Sequence, residues 1–167
     1  MWDALILAFA VTAAIGDLRW GTIPREFTTA GFLTGLLYHG VAGNLMSAAL
    51  AAVLGFAVGL TLFRLGAVGG GDVKLIAALG AMLSLGPWLI AMSVAVVVAA
   101  VIALVQAACH GVLWKMLVNS GRLAAWLVTS GGKPHPGFHI DNPGALRAPF
   151  GGAAALGTAC ALLLVRL

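Results

Sequence analysis

VGGGDVKLIAALGAMLSLG, residues 68–86, decides how this chain folds. Three glycines lead into Asp72, and after Lys74 the stretch carries no further charge. As a membrane helix it is short. From Asp72 to Leu85 a helix rises only ~20 Å, against ~30 Å of bilayer hydrocarbon. Either the helix extends through Gly86-Pro87-Trp88, or its start sits below the membrane surface and takes Asp72 with it. A second aspartate has the same setting. Asp17, in AIGDLRWGTIP (residues 14–24), ends the first apolar run, which is also short. An ionisable side chain at membrane depth is costly and commonly marks a pathway or a site.

The rest of the sequence supports the membrane setting. Hydrophobic residues make up 62% of the 167 positions and charged ones only 8%. That is about a third of the charge of a soluble domain, and the mean hydropathy is +1.08. A water-soluble chain of this composition would expose large apolar patches and aggregate. The length fits one domain. The net charge of +4 does not indicate nucleic acid, because the basic residues lie between apolar runs.

Six apolar runs stand out: about 2–17, 27–42, 45–63, 72–86, 88–109 and 148–166. The expected fold is all-α, a polytopic membrane protein with six transmembrane helices in one domain, residues 1–167. Loops at about 18–26, 64–71 and 110–147, with their borders, hold Arg19, Arg25, Arg64, Lys74, Lys115, Arg122, Lys133 and Arg147. The opposite side holds Arg166 alone. The positive-inside rule then puts both aspartates on the cytoplasmic side and both termini outside. Trp2, Tyr38 and Trp88 fall at the outer interface and Trp20 at the inner one. The first run has no basic leader and carries Asp3, so it reads as a retained helix rather than a signal peptide.

Between the fifth and sixth runs, Lys115, Asn119 and Arg122 share one helical face, with Trp114, Leu117, Leu123 and Leu127 largely away from it. This predicts an amphipathic helix on the inner leaflet. A seventh span is the rival reading, and it would have to bury Lys115 and Arg122. The following KPHPGFHIDNPGALR reads as a loop. Its His135, His139 and Asp141 lack a third His or Cys nearby, so no metal is expected there. Cys109 and Cys160 form no CxxC pair and read as packing residues. Gly31 with Gly35, and Gly55 with Gly59, have the spacing that lets membrane helices approach closely.

Gly69, Gly70 and Gly71 are expected to let the backbone turn sharply and approach another chain closely, and to leave backbone groups free for an extended substrate strand. Asp72 would lie in a first helical turn, where the helix dipole favours its ionised form. The plain alternative is a helix cap after a flexible loop.

GGGDVKL resembles the GxGD signature of intramembrane aspartyl proteases, with the Val-Lys-Leu of type IV prepilin peptidases. DLRWGTIP resembles the other aspartate motif of that family, including Pro24. RAPFGGA, from Arg147 to Ala153 and including Pro149, resembles the element opening the last helix of the short members, which serve Flp-type and tight-adherence pili. The three motifs follow the family's order. Arg25 stands where the family usually has Asn, and Phe150 where it often has Tyr. Only nine residues separate the first two runs, so the CxxC-bearing insertion of the larger members is missing, and methyltransferase activity is not expected.

The resemblance implies that Asp17 and Asp72 are the catalytic pair, with Gly69, Gly70, Gly71, Lys74, Pro24 and Pro149 around the substrate and no metal or cofactor. It implies cleavage of a basic leader from a prepilin or pseudopilin at the bacterial inner membrane, with lipid as surroundings and no nucleic-acid partner. Two carboxylates a few Å apart do not both ionise readily, so one keeps a proton while the other activates water. Lys74 would bias the pair toward ionisation, contact an acidic substrate residue, or snorkel to the interface. Two other classes remain open on the residues alone. A proton-coupled transporter uses membrane carboxylates as a relay, but more often near the midplane and with repeat symmetry. A non-enzymatic pilus-assembly protein has no need of both aspartates.

Overall fold

The computed structural model describes residues 1–65, 68–129 and 150–165. Pro149, Lys133, Arg147, Arg166 and the His135, His139 and Asp141 group lie outside the described residues, as does the Leu127 side chain. Seven α-helices and no strands are found among the described residues. They are α1 (Trp2–Trp20), α2 (Arg25–Val41), α3 (Leu45–Arg64), α4 (Gly70–Leu83), α5 (Leu85–Cys109), α6 (Leu113–Thr129) and α7 (Phe150–Leu164).

The helices pack as two groups of three. In one, α4 lies along both α2 and α3; in the other, α7 lies along both α1 and α5. Lighter contacts of α4 with α1, α5 and α7 join the groups. Small residues make this possible. A Cβ on Gly35 would come within 2.6 Å of the Ala81 backbone, and one on Gly80 within 2.6 Å of the Ala51 carbonyl. Gly31, Gly55 and Gly59 likewise face Phe9, Ile76 and Val73, so both spaced glycine pairs mark helix contacts. Close backbone approach of this kind is how helices associate without a hydrophobic driving force.

The core is α4. Every residue from Val73 to Leu83 is buried except Lys74. The helix has 14 residues, about 21 Å of rise, so it does not extend through Gly86-Pro87-Trp88. The break falls earlier, at Ser84, with φ 65° and ψ 173°. Pro87 sits in the first turn of α5, where its missing N–H would have had no helical partner. Trp88 departs from its expected interface position: it is buried, and its indole N–H donates to the Ile76 carbonyl at 3.2 Å. Trp2 and Tyr38 do form an aromatic pair, stacked at 3.7 Å, at the end of the bundle away from Asp72.

The outer surface is apolar. Val53, Val96 and Val97 are each more than 60% exposed, and Leu33, Leu37, Phe56 and Val101 are exposed as well. A hydrophobic interior and a hydrophobic exterior belong to a membrane protein. By length and composition α3 and α5 each suffice to cross a bilayer, while α2, α4 and α7 are shorter. Among the described residues, two such helices fall short of the six expected. Charge explains α1, which carries Asp3, Asp17 and Arg19; helix length explains α2, α4 and α7.

Gly111 (φ 67°) turns the chain out of α5 into α6. Lys115, Arg122 and Trp114 are exposed on α6, and its substantial contacts are with α5.

Candidate active site

Asp17 lies in the last turn of α1. That helix runs three residues past the aspartate and stops at Gly21, whose left-handed conformation (φ 62°) lets its N–H cap the Asp17 carbonyl at 2.9 Å. Such a C-cap is strained for a residue with a Cβ. The chain then passes through buried Ile23 to Pro24, the exposed N-cap of α2. Arg25 is ion-paired with Glu26 at 2.8 Å, both side chains well exposed.

Asp72 is the third residue of α4. The glycines ahead of it do not form the sharply turning loop expected. Gly69 is the N-cap, extended at φ −78° and ψ 159°, and Gly70 and Gly71 are the first helical residues. None of the three uses a positive φ. The reason is local. The Asp72 carboxylate reaches back and accepts the Gly69 N–H at 3.1 Å, satisfying a donor the helix start leaves open. Gly71 faces the Ile23 backbone, where a Cβ would sit 3.6 Å away in ordinary contact. Of the three glycines, Gly71 alone lies against the α1–α2 link; Gly70 faces Phe63 of α3.

Asp17 is held by a different helix. Its Oδ2 accepts the Gly151 backbone N–H at 2.8 Å, in the first turn of α7. Helix N-termini carry partial positive charge, so a carboxylate is favoured there. A Cβ on Gly151 would come within 2.9 Å of the Asp17 Cβ and 3.0 Å of its Oδ2. The sequence had marked this element only by resemblance and had not assigned Gly151 a role. A glycine pair just inside a helix start, far along the chain from a lone carboxylate, was the available signal.

The two carboxylates therefore occupy one end of the bundle, each half-buried and near enough for the charge of Asp17 to be felt at Asp72. Each has Oδ2 bonded to a backbone amide. Among the described residues, no hydrogen bond engages either Oδ1. Two fixed carboxylates with free oxygens at a partly open site are able to hold and polarise a water molecule.

Lys74 is exposed, about 200° round the helix from Asp72 and so on its opposite side. It stands at the end of a groove of about 530 Å³ between α2, α3 and α4 that is otherwise apolar apart from Thr28 and Thr29. The sequence did not reveal this groove. Of the other residues expected at the site, Pro24 is the N-cap of α2, Gly69 the N-cap of α4 and Gly70 and Gly71 its first residues, while Pro149 lies outside the described residues.

No curated protein and no solved structure matches the chain. The type IV leader peptidase family model matches residues 4–104, a stretch that includes Asp17, Asp72 and the helices that carry them. With more than half of its length matched, the chain belongs to the type IV leader peptidase family.

Proposed function

We propose that the protein is an aspartyl endopeptidase that removes the short basic leader from Flp-like type IV prepilins, with Asp17 and Asp72 as the catalytic pair. The observation that carries this is the convergence of two carboxylates from separate helix groups, each held by a helix-start amide. Neither a scaffold nor a helix cap accounts for both. A transporter relay is less well supported, because the pair lies at one end of the bundle rather than in its middle.

In this reading the ionised carboxylate takes a proton from water as the oxygen attacks the scissile carbonyl. The protonated partner hydrogen-bonds the carbonyl oxygen. The resulting diol collapses as the C–N bond breaks and the departing amine takes a proton. The leader leaves with a carboxyl end and the pilin with a free amino end. Backbone amides fix both carboxylates in advance, so little reorganisation is needed at the reacting centre.

Topology belongs to the same proposal. Six helices, α1–α5 and α7, cross the inner membrane with the aspartates toward the cytoplasm and both termini outside. The helix α6 lies on the inner leaflet, with Lys115 and Arg122 toward the headgroups. The four residues between α1 and α2, Gly21 to Pro24, leave no room for a methyltransferase segment there.

The test is cleavage of a co-expressed prepilin, read by the mature N-terminus. Asp17→Asn and Asp72→Asn should each abolish processing while the protein remains in the membrane, and the double variant should be no worse, since the two act as a unit. Near-normal processing by either single variant refutes the pair.

A further inference from the structure

We propose that Glu26 is the carboxylate that receives the substrate's basic leader, and that Arg25 occupies it until a leader lysine or arginine takes its place. This deepens the peptidase reading above and rests on it.

The end of the bundle that carries the acid pair is otherwise basic. Arg19 lies in the last turn of α1, Arg64 closes α3 and Lys74 lies near the start of α4, all exposed. Phe63, the neighbour of Arg64, faces Gly70, so the end of α3 belongs to the same rim. Such a rim repels a leader of like charge. Asp17 and Asp72 offer little relief, since each is half-buried and bonded to a backbone amide. Among the described residues, Glu26 is the one exposed acid.

That acid already has a partner, and the partner is replaceable. Glu26 Oε1 accepts the Arg25 Nε–H at 2.8 Å, with the Arg25 and Glu26 side chains 78% and 73% exposed. The contact is a single bond, not the two-pronged pairing that makes arginine–carboxylate contacts strong. Adjacent residues on a helix do not face each other, which weakens the pairing further. Exposed ion pairs of this kind exchange readily. Oε2 has no hydrogen bond among the described residues. An incoming ammonium or guanidinium is thus able to bind there first and then displace Arg25. The same pair discriminates: a neutral or acidic leader has nothing to exchange for Arg25.

The position fits the cleavage point. Ile23 lies against Gly71, the residue before Asp72. Glu26 is three residues further along the chain, so its Cα is at most ~10 Å from that contact. Glu26 also feels the Lys74 charge, which agrees with a place near the start of α4. The glutamate chain and a lysine's four-carbon stem together cover on the order of 10 Å. At ~3.4 Å per extended residue, Glu26 therefore meets a basic residue about one to four places before the scissile bond. The helix α4 runs from Asp72 into the core, so the leader lies the other way, where Glu26 is exposed.

The experiment uses the full-length protein in lipid nanodiscs of one fixed composition. The substrates are synthetic prepilins with a glycine at the cleavage point, a 20-residue apolar helix and a neutral leader. One Lys is moved from the first to the eighth place before the bond, each with Gln and Glu counterparts. Wild-type protein should show a KM about two- to fivefold lower for Lys than for Gln within the first four places, with kcat within about twofold. Raising salt from about 0.05 to 0.5 M should shrink that difference. Glu26→Gln should abolish the difference, and Glu26→Lys should transfer it to the Glu leaders, a gain that a misfolded protein does not give. Arg25→Gln frees the carboxylate and should enlarge the Lys preference by about twofold or more. A Lys preference that survives in Glu26→Gln overturns the proposal, as does one that is absent from wild-type protein. An Arg25→Gln protein with an unchanged preference overturns the competition between Arg25 and the leader. A Glu26→Gln protein that slows Lys and Gln substrates alike makes Glu26 a structural residue, and the proposal falls. Failure to cleave any substrate overturns the peptidase reading itself.

Discussion

Gly151→Ala is the sharpest probe of how the acid pair is held. The added Cβ would start 2.9 Å from the Asp17 Cβ, 3.0 Å from its Oδ2 and 3.2 Å from the Ala14 Cα. Comfortable contact needs roughly 3.5–4.0 Å, so α1 and α7 must separate by about 0.5–1 Å near the site. The Gly151 N–H to Asp17 bond of 2.8 Å would lengthen to about 3.5 Å, the limit of a useful hydrogen bond. A lost hydrogen bond to a charged group is worth about 1.5–3 kcal/mol, and a misplacement near 1 Å costs on the order of a hundredfold in rate. The expected result is a kcat lower by about 10- to 100-fold with KM changed less than threefold. Prepilin cleavage by purified protein, followed by gel shift, reads both constants. Gly152→Ala is the control, because nothing lies within 4 Å of a Cβ there. It should keep wild-type kcat and gain up to about 1 kcal/mol in stability from helix propensity. A Gly151→Ala protein with wild-type kcat would refute the claim that this amide positions Asp17.

Three further outcomes are expected. Gly71→Ala should keep cleavage within about threefold of wild type, since its Cβ meets Ile23 at ordinary contact distance, whereas Gly71→Val should lose at least about tenfold as its branches press on the link; equal activity of the two, measured by initial rates, would show that the surface is not tight. With Cys109 and Cys160 replaced by serine, a cysteine at Thr22 should react with an impermeant maleimide only in inside-out vesicles and one at Ala42 only in intact cells; the reverse pattern inverts the topology. Ser84→Gly should raise thermal stability by about 1 kcal/mol, because φ 65° with ψ 173° is nearly exclusive to glycine; a lower Tm would mean the serine side chain holds the break.

The helices were legible because their apolar runs are long and their interruptions carry Gly, Pro or charge. Their ends were less so. The α4–α5 break was expected near Gly86-Pro87, but proline is tolerated in a first turn, and the actual break uses a serine in a conformation no propensity favours. Trp88 was assigned to an interface by its residue type, while its indole found a carbonyl inside the core. Both aspartates stood out because charge is rare in this chain. Their attachments did not, since Gly151 reaches Asp17 across 134 positions, and no local pattern encodes that meeting. The glycine triplet was noticed for a sharp turn it does not make; the close approach also expected of it is met at Gly71, beside Ile23. The groove was invisible for a similar reason, being a space left among three helices rather than a run of residues.

At the far end of α4, the Met82 carbonyl accepts the Trp2 indole N–H at 3.2 Å and pairs with His39 Nε2 at 3.0 Å. A carbonyl only accepts, so that histidine nitrogen carries its proton. These two bonds tie the bottom of α4 to α1 and α2, ten residues or ~15 Å below Asp72. They act as a depth stop. A slip of α4 by one residue would move Asp72 ~1.5 Å along the axis, enough to take it out of step with Asp17. The height of one acid relative to the other is thus set at the opposite end of the molecule, where nothing reacts.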